Sequence, residues 1–197
     1  LDHYGYCLLE DRMPAHEAEQ LAERCLELHA DPSNDVYKNG NKYYQTLFGM
    51  MNLDDRVWSY ASHPDAVAVA HHFLGPRCRV VEACSKPNWP GAPDQVLHAD
   101  SAGDFHQVPN VPWMINSIWM LTDFTVENGA TGIVPMSHRS GLKRPPQELM
   151  ENHALVKPLT GRTGSLAMWH GGLFHIARGN SSNDIRVGLN IAYYPRW

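Results

Sequence analysis

His98 and Asp100, in the stretch LHAD, are two residues apart, a spacing that suggests two ligands of a metal site. They follow an apolar pair, Val96 and Leu97, and residues two apart on a β-strand point to the same face of the sheet. An imidazole and a carboxylate are two of the three ligands of a facial triad, which holds non-haem Fe(II) and leaves the opposite positions open. This spacing is common by chance, so the pair equally fits the polar end of an ordinary strand.

A metal site of this kind needs a third ligand from a distant strand. The candidate histidines are His106, His138, His153, His170 and His175. His175 is favoured because its predicted strand, 173–177, is joined by the loop RGNSSND to a final strand, 186–193. In such a hairpin Arg186 becomes its neighbour, and a guanidinium beside a metal can bind the far carboxylate of a small dicarboxylate by two parallel hydrogen bonds. His170, next to a double glycine, is expected in a turn or behind the ligands.

Two helices and a series of short strands must position these residues. Apolar residues repeat with the helical period over 14–29, which predicts a first helix. A second helix is predicted over 62–75, with Ser62 as its N-cap and Gly75 at its end. The rest of the chain has short apolar, β-branched runs separated by turn residues, which is typical of a β-sandwich or barrel. The predicted strands are 78–84, 95–99, 115–122, 131–134, 154–157, 164–169, 173–177 and 186–193.

Length and composition limit the class of protein. The chain has 197 residues, 43% hydrophobic and 19% charged, which is ordinary for a globular domain. One domain is expected over 1–197, with a helical layer at 1–77 and a β core at 78–197. The net charge of -5 argues against a nucleic-acid or anionic-membrane partner. The sequence has no apolar run of 18 residues, so no membrane-spanning helix is expected.

The cysteines and the opening residues bear on the cellular compartment. The four cysteines form no C-x-x-C pair, which argues against a structural zinc site. The opening residues have no basic segment followed by an apolar core and a small-residue cleavage site, so no signal peptide is predicted. A cytoplasmic location with reduced thiols is therefore expected. The sequence leaves the assembly open between a monomer and a homodimer.

Several stretches resemble the phytanoyl-CoA dioxygenase family of Fe(II)- and 2-oxoglutarate-dependent oxygenases. They are the stretch LHAD, the segment WMLTDFTVENGATGIVPMSHRSG at 119–141, the segment 164–197 with a histidine and an arginine 11 residues apart, and the opening stretch 3–24. The resemblance covers nearly the whole chain, and the order of the motifs is more specific than any single motif. One departure is Met136, where the family usually has a turn glycine. The resemblance implies a mainly β fold with N-terminal helices around a double-stranded β-helix, the jelly-roll core of the cupins.

The resemblance also implies roles for individual residues. His98, Asp100 and His175 would bind Fe(II), and Arg186 would hold the distal carboxylate of 2-oxoglutarate. Because halogenases related to this family lack the carboxylate ligand, Asp100 favours oxygen transfer over halogen transfer.

Three further residues match family positions that serve the cosubstrate. The hydroxyl of Thr131 would assist the distal carboxylate, the amide of Gln95 would contact the cosubstrate near the metal, and Trp119 would line its pocket. Each has a structural alternative. Thr131 fits as a β-former, Gln95 as a surface residue at a strand end, and Trp119 as a core residue.

The reaction that the resemblance implies consumes 2-oxoglutarate and O2, releases succinate and CO2, and hydroxylates or otherwise oxidises an unactivated C–H bond of a small organic molecule. A natural-product or amino-acid-like substrate is favoured over an acyl-CoA, because the chain shows no basic cluster apart from Lys143 and Arg144. The alternatives are an acyl-CoA hydroxylase of the same family and a cupin-type metal-binding protein or zinc hydrolase without oxygenase activity. A hydrolase has no need of Arg186 with Thr131. The loops at 31–60, 101–113 and 139–153 are expected to shape the substrate site.

Overall fold

The computed structural model describes residues 1–100 and 112–196, which form two antiparallel β-sheets and a layer of helices. The strands of the larger sheet are β1 (Tyr6–Leu9), β2 (Lys38–Asn39), β3 (Thr46–Phe48), β4 (Arg79–Asn88), β5 (Ile115–Met120), β8 (Leu166–His170) and β10 (Arg186–Tyr194). Those of the smaller sheet are β6 (Thr131–Ile133), β7 (Lys157–Pro158) and β9 (His175–Ala177). The strand orders are β1-β8-β5-β10-β4-β3-β2 and β7-β6-β9.

The helices are α1 (Ala15–Ala30), α2 (Met50–Leu53), α3 (Arg56–Ala61), α4 (Pro64–Leu74) and α5 (Gln147–Asn152), with short 3-10 helices at Pro32–Tyr37 and Ser137–Arg139. Helices α1 to α4 pack on one face of the larger sheet, and α5 packs beside the smaller sheet. Leu21 of α1 and Val57 of α3 share a buried cluster with Leu189 and Ile191 of β10. The predicted helices at 14–29 and 62–75 therefore form as α1 and α4. The N-cap of α4 is His63 rather than Ser62, because its imidazole accepts the Asp65 N–H.

The central strands β5 and β10 are buried on both faces, so alternate residues serve two different environments. The side chains of Ser117 and Trp119 are buried beneath the helices, with Trp119 in the main apolar cluster. Asn116 and Ile118 face the other way and line a cavity between the two sheets. The same alternation places Arg186 and Asn190 of β10 in that cavity wall.

Residues 1–77, predicted as a helical layer, contain strands as well as helices. Strand β1 pairs with β8, and β3 pairs with β4, so the region also supplies three strands of the larger sheet. The pattern missed β2 and β3 because strands of two and three residues carry too little periodicity. In place of the strand predicted at 95–99, only a single β-bridge forms, at His98. In place of the strand predicted at 154–157, the two-residue strand β7 forms at Lys157–Pro158.

The longest helix, α1, has 16 residues, fewer than the about 20 that a bilayer requires, and none of the described helices is suited to cross a membrane. Residues 101–111 lie outside the described residues. His106, one of the candidate third ligands, and most of the predicted loop at 101–113 fall in that segment.

Candidate metal centre

Backbone pairing brings two of the predicted ligands side by side. His98 and His175 form an antiparallel bridge, in which His98 N donates to His175 O at 3.0 Å and His175 N donates to His98 O at 2.8 Å. Residues paired in this way project to the same side of the sheet, and the two ring centroids lie 4.3 Å apart.

The Asp100 carboxylate faces both imidazoles. Its Oδ1 lies 3.6 Å from His98 Nε2, and its Oδ2 lies 3.4 Å from His175 Nε2. The ligand atoms of the three residues all fall within 4.8 Å of one another. Side-chain exposures of 44% for His98, 23% for Asp100 and 9% for His175 show that the site is partly open, with His98 as its most exposed ligand. Two imidazoles and one carboxylate with an open side are the donor set of a facial triad.

The other ring nitrogen of each histidine fixes its tautomer. Nδ1 of His98 lies 2.9 Å from the carbonyl oxygen of Val96, and Nδ1 of His175 lies 3.0 Å from that of Leu173. A carbonyl oxygen can only accept, so each Nδ1 carries a proton and each Nε2 is the nitrogen available to a metal. Both rings are thus oriented as metal ligands.

Charge within the triad also suits a cation. Burial by itself would raise the pKa of the Asp100 carboxyl, but His175, His98 and Lys86 outweigh it and hold that pKa well below its usual range. Burial lowers the pKa of His175, which keeps its imidazole neutral. The pKa of His98 is raised, since Asp100 outweighs the opposing effect of burial. The Asp100 carboxylate is therefore an anion at neutral pH, which suits a cation bound by the triad.

The triad opens into a cavity of about 240 Å³ between the two sheets. Gln95, Thr131 and Arg186 line the same cavity, so the structure brings these three predicted cosubstrate residues to the triad. Trp169 also stands in the wall, with its ring centroid 5.4 Å from that of His175.

The guanidinium of Arg186 is a buried cation that lacks a full set of partners. The residue is 3% exposed, and its Nε and Nη1 atoms have no hydrogen-bond partner among the described residues. The Cζ atom of Arg186 lies 4.5 Å from the centroid of the Phe124 ring. Burial lowers its pKa to about 10, so it stays protonated at neutral pH. A buried charge without a counter-ion is costly, and an anionic ligand would supply the missing partner.

Tyr44 is a cavity residue that the sequence patterns did not single out. Its hydroxyl is buried, has no hydrogen-bond partner among the described residues, and faces the same cavity as Arg186. Burial raises its pKa to about 12, so it is a neutral donor at physiological pH. The only signal was the aromatic composition of the loop at 31–60, which fits packing as well as ligand binding.

The structure places Trp119 outside the cavity. The residue is fully buried on the helix side of β5, and its ring centroid lies 5.2 Å from those of Tyr60 and His63. The prediction that Trp119 lines the cosubstrate pocket is therefore wrong, and its alternative as a core residue describes it correctly. The strand is buried on both faces and has one polar residue on each, so its sequence could not tell which face meets the cavity.

The other described candidate ligands lie away from the triad. The rings of His138 and His170 lie next to each other, tilted by 47°, with centroids 5.2 Å apart. His153 accepts from Arg178 Nη1 at 3.0 Å, and the same guanidinium pairs with Asp94 at 3.2 Å. Arg178 is thus held in a structural cluster.

His170 is expected to make the chain less stable in acid. Burial, with a smaller effect from His138, lowers the pKa of His170 from 6.5 to about 4. Because the unfolded chain binds this proton first, stability is lost as the pH falls from 6.5 toward 4, by about 2 kcal/mol at pH 4.5. Urea unfolding of the metal-free chain at pH 7.5 and 4.5 measures this loss.

The matched variant is His170→Asn, whose side-chain oxygen can still accept the Gly172 N–H that His170 Nδ1 accepts at 2.9 Å. We expect its stability to fall by about 2 kcal/mol less than that of the wild type over the same pH interval. Equal losses in the two proteins would show that His170 is not the responsible group.

Comparison with known proteins places the chain in a family. The profile of the phytanoyl-CoA dioxygenase (PhyH) family matches residues 1–188. A dioxygenase of Aspergillus fumigatus, af480, is 30% identical over 154 residues, which are 75% of this chain and 47% of that protein. The Fe(II)/2-oxoglutarate-dependent dioxygenase nvfF of Aspergillus novofumigatus is 37% identical over 98 residues, 48% of this chain and 31% of that protein. The matched regions thus span less than half of the length of these relatives.

Solved structures show the same fold. EctD from S. alaskensis, crystallised with 2-oxoglutarate and 5-hydroxyectoine, superimposes with a TM-score of 0.82 at 19% identity, over 98% of this chain and 73% of that one. The predicted double-stranded β-helix with N-terminal helices is therefore confirmed. The family profile covers nearly the whole chain and includes the triad and Arg186, so this protein belongs to the phytanoyl-CoA dioxygenase family.

Proposed function

We propose that the protein is an Fe(II)- and 2-oxoglutarate-dependent dioxygenase that oxidises a C–H bond of a small organic molecule. The observation that carries the proposal is the buried guanidinium of Arg186, in the same cavity as the triad, whose Nε and Nη1 find no hydrogen-bond partner in the described part of the chain. A protein that only holds a metal ion has no use for such a charge. A dicarboxylate cosubstrate needs both groups, the metal at one carboxylate and the guanidinium at the other. Family membership and the Fe(II)/2-oxoglutarate-dependent relative support the same reading.

Each side chain of the cavity has a role in this reaction. His98, Asp100 and His175 would hold Fe(II), which when bound supplies the chemistry that couples decarboxylation of 2-oxoglutarate to oxidation of the substrate by O2. Arg186 binds the far carboxylate, and the hydroxyls of Thr131 and Tyr44, which line the same cavity, donate to it. The amide of Gln95, on the same wall as the triad, orients the cosubstrate near the metal.

The overall reaction balances as substrate C–H, O2 and 2-oxoglutarate giving substrate C–OH, succinate and CO2. Ile118 and Trp169 give the cavity an apolar wall, which excludes water from the reacting atoms. Lys86 of β4 is a second cation that lines the cavity. A small natural-product or amino-acid-like substrate fits these surroundings better than an acyl-CoA, which remains the alternative within the family.

The test is succinate release from 2-oxoglutarate by the purified chain with Fe(II) and ascorbate under air. A panel of natural products, amino acids and acyl-CoA thioesters, scored by mass gain of one oxygen atom, then identifies the substrate class. Succinate formation that requires Fe(II) is the expected result. Tight retention of zinc with no succinate from any panel member would overturn the proposal in favour of a hydrolase or a binding protein.

The domain organisation, the partners and the cellular location also belong to the proposal. The chain acts as one oxygenase domain over 1–197, as a monomer or a homodimer, with a small-molecule substrate and no nucleic-acid partner. The four free cysteines, Cys7, Cys25, Cys78 and Cys84, support a reducing compartment, and we place the protein in the cytoplasm.

A further inference from the structure

Two buried asparagines connect the Asp100 carboxylate to the central strands. Asn116 of β5 donates from Nδ2 to Asp100 Oδ2 at 2.6 Å. Asn190 of β10 donates from its own Nδ2 to Asn116 Oδ1 at 2.7 Å. The two residues are 4% and 2% exposed, in strands that are otherwise mainly apolar. Burying two amides carries a desolvation cost that an apolar pair of similar volume would avoid. The presence of the asparagines therefore points to a function of their hydrogen bonds.

Backbone groups fix the orientation of both amides. The carbonyl oxygen of Ser117, which can only accept, lies 2.6 Å from Asn190 Nδ2, so that atom must be the nitrogen. The Ser117 N–H, which can only donate, lies 3.2 Å from Asn116 Oδ1, so that atom must be the oxygen. It follows that Asn116 turns its NH2 group toward Asp100 and cannot turn its oxygen there without losing two partners.

We infer that Asn116, held by Asn190, is the positioning residue for the carboxylate ligand of the triad. The amide donor takes one lone pair of Oδ2 and fixes the rotation of the carboxylate, so that its remaining lone pairs face the two Nε2 atoms. Outer partners of this kind typically change metal affinity by about 10- to 100-fold.

This inference rests on the proposed binding of a metal by the triad, and the experiment separates the two. Mn(II) is titrated calorimetrically into the metal-free wild type and into the variants Asn116→Ala, Asn190→Ala and the double variant. The matched control is Ser117→Ala, which removes another buried hydrogen bond between β5 and β10, from Ser117 Oγ to Ile191 O at 2.8 Å, but on the helix side. Circular dichroism and thermal unfolding establish that each metal-free variant is folded.

We expect Asn116→Ala to weaken Mn(II) binding by about 10- to 100-fold and Ser117→Ala to change it by less than about threefold. Asn190→Ala should weaken it by a smaller factor. Because Asn190 acts through Asn116, the double variant should bind Mn(II) as Asn116→Ala does, whereas independent contributions would multiply. The visible spectrum of the Co(II)-loaded protein should shift in Asn116→Ala and not in Ser117→Ala.

The outcomes are distinguishable. If the wild type binds no Mn(II), the proposed metal site fails. If the wild type binds Mn(II) and Asn116→Ala binds it within threefold, or if the losses of the two single variants multiply in the double variant, the positioning role is wrong while the metal site stands. If Asn116→Ala does not fold, Asn190→Ala alone decides, since an unchanged affinity in that variant contradicts the relay.

Discussion

Replacing Asp100 by asparagine is expected to abolish Fe(II)-dependent succinate formation and to weaken Mn(II) binding by more than about 100-fold, since loss of an outer-shell partner alone costs about 10- to 100-fold. The substitution keeps the shape of the side chain and removes the charge that both imidazoles face at 3.4 and 3.6 Å. A neutral amide presents a poorer donor to a divalent cation than a carboxylate. Calorimetric titration of the metal-free chain measures the first effect, and succinate release measures the second.

The matched control is Asp184→Asn, at an exposed aspartate in the turn before β10. It should leave the Mn(II) affinity and the succinate rate within about twofold of the wild type, because surface substitutions away from a site have small effects. An Asp100→Asn variant that binds Mn(II) and forms succinate like the wild type would show that the triad is not the metal centre.

Elements with strong local periodicity were predicted well. The helices at 14–29 and 62–75 form within two residues of their predicted ends, since their apolar faces repeat with the helical period. The strands that carry His175 and Arg186 also formed where predicted. The short strands β2 and β3 were missed, because their pairing with a distant part of the chain, rather than their own residues, makes them strands.

The remaining site residues depend on contacts that no local pattern reveals. Tyr44 reaches the cavity from a loop between two unpredicted strands. Trp119 was assigned to the wrong face, because β5 is buried on both sides and alternation carries no information there. One signal was available and unused: Asn116 and Asn190 interrupt apolar strands, and a polar residue in such a strand needs a buried partner. That reasoning would have predicted an amide network without locating Asp100 at its end.

Replacing Arg186 by methionine is expected to raise the 2-oxoglutarate KM by about 30-fold or more while the Mn(II) affinity changes by less than about threefold. Truncating one partner of a buried, hydrogen-bonded charge pair costs about 2–5 kcal/mol, which corresponds to this loss at the cosubstrate and not at the triad. Arg186→Lys keeps a charge but not the planar fork, so its KM should lie between those of the wild type and of Arg186→Met. Arg162→Met, at an exposed arginine, is the control and should behave as the wild type. Equal losses of metal and cosubstrate affinity in Arg186→Met would mean that the arginine supports the fold.

The same variant separates function from stability. Within residues 1–100 and 112–196, Nε and Nη1 of the buried Arg186 guanidinium have no hydrogen-bond partner. Folding of the cosubstrate-free chain therefore carries a desolvation cost, which methionine avoids while keeping the contact with Phe124. Arg186→Met should therefore raise the free energy of unfolding of the cosubstrate-free chain by about 1–3 kcal/mol. Saturating 2-oxoglutarate with Mn(II) should raise the unfolding temperature of the wild type further than that of the variant, since only the wild type retains the anion partner. If Arg186→Met instead destabilises the cosubstrate-free chain, the guanidinium stabilises the fold by itself, and its place in the cavity does not require a dicarboxylate.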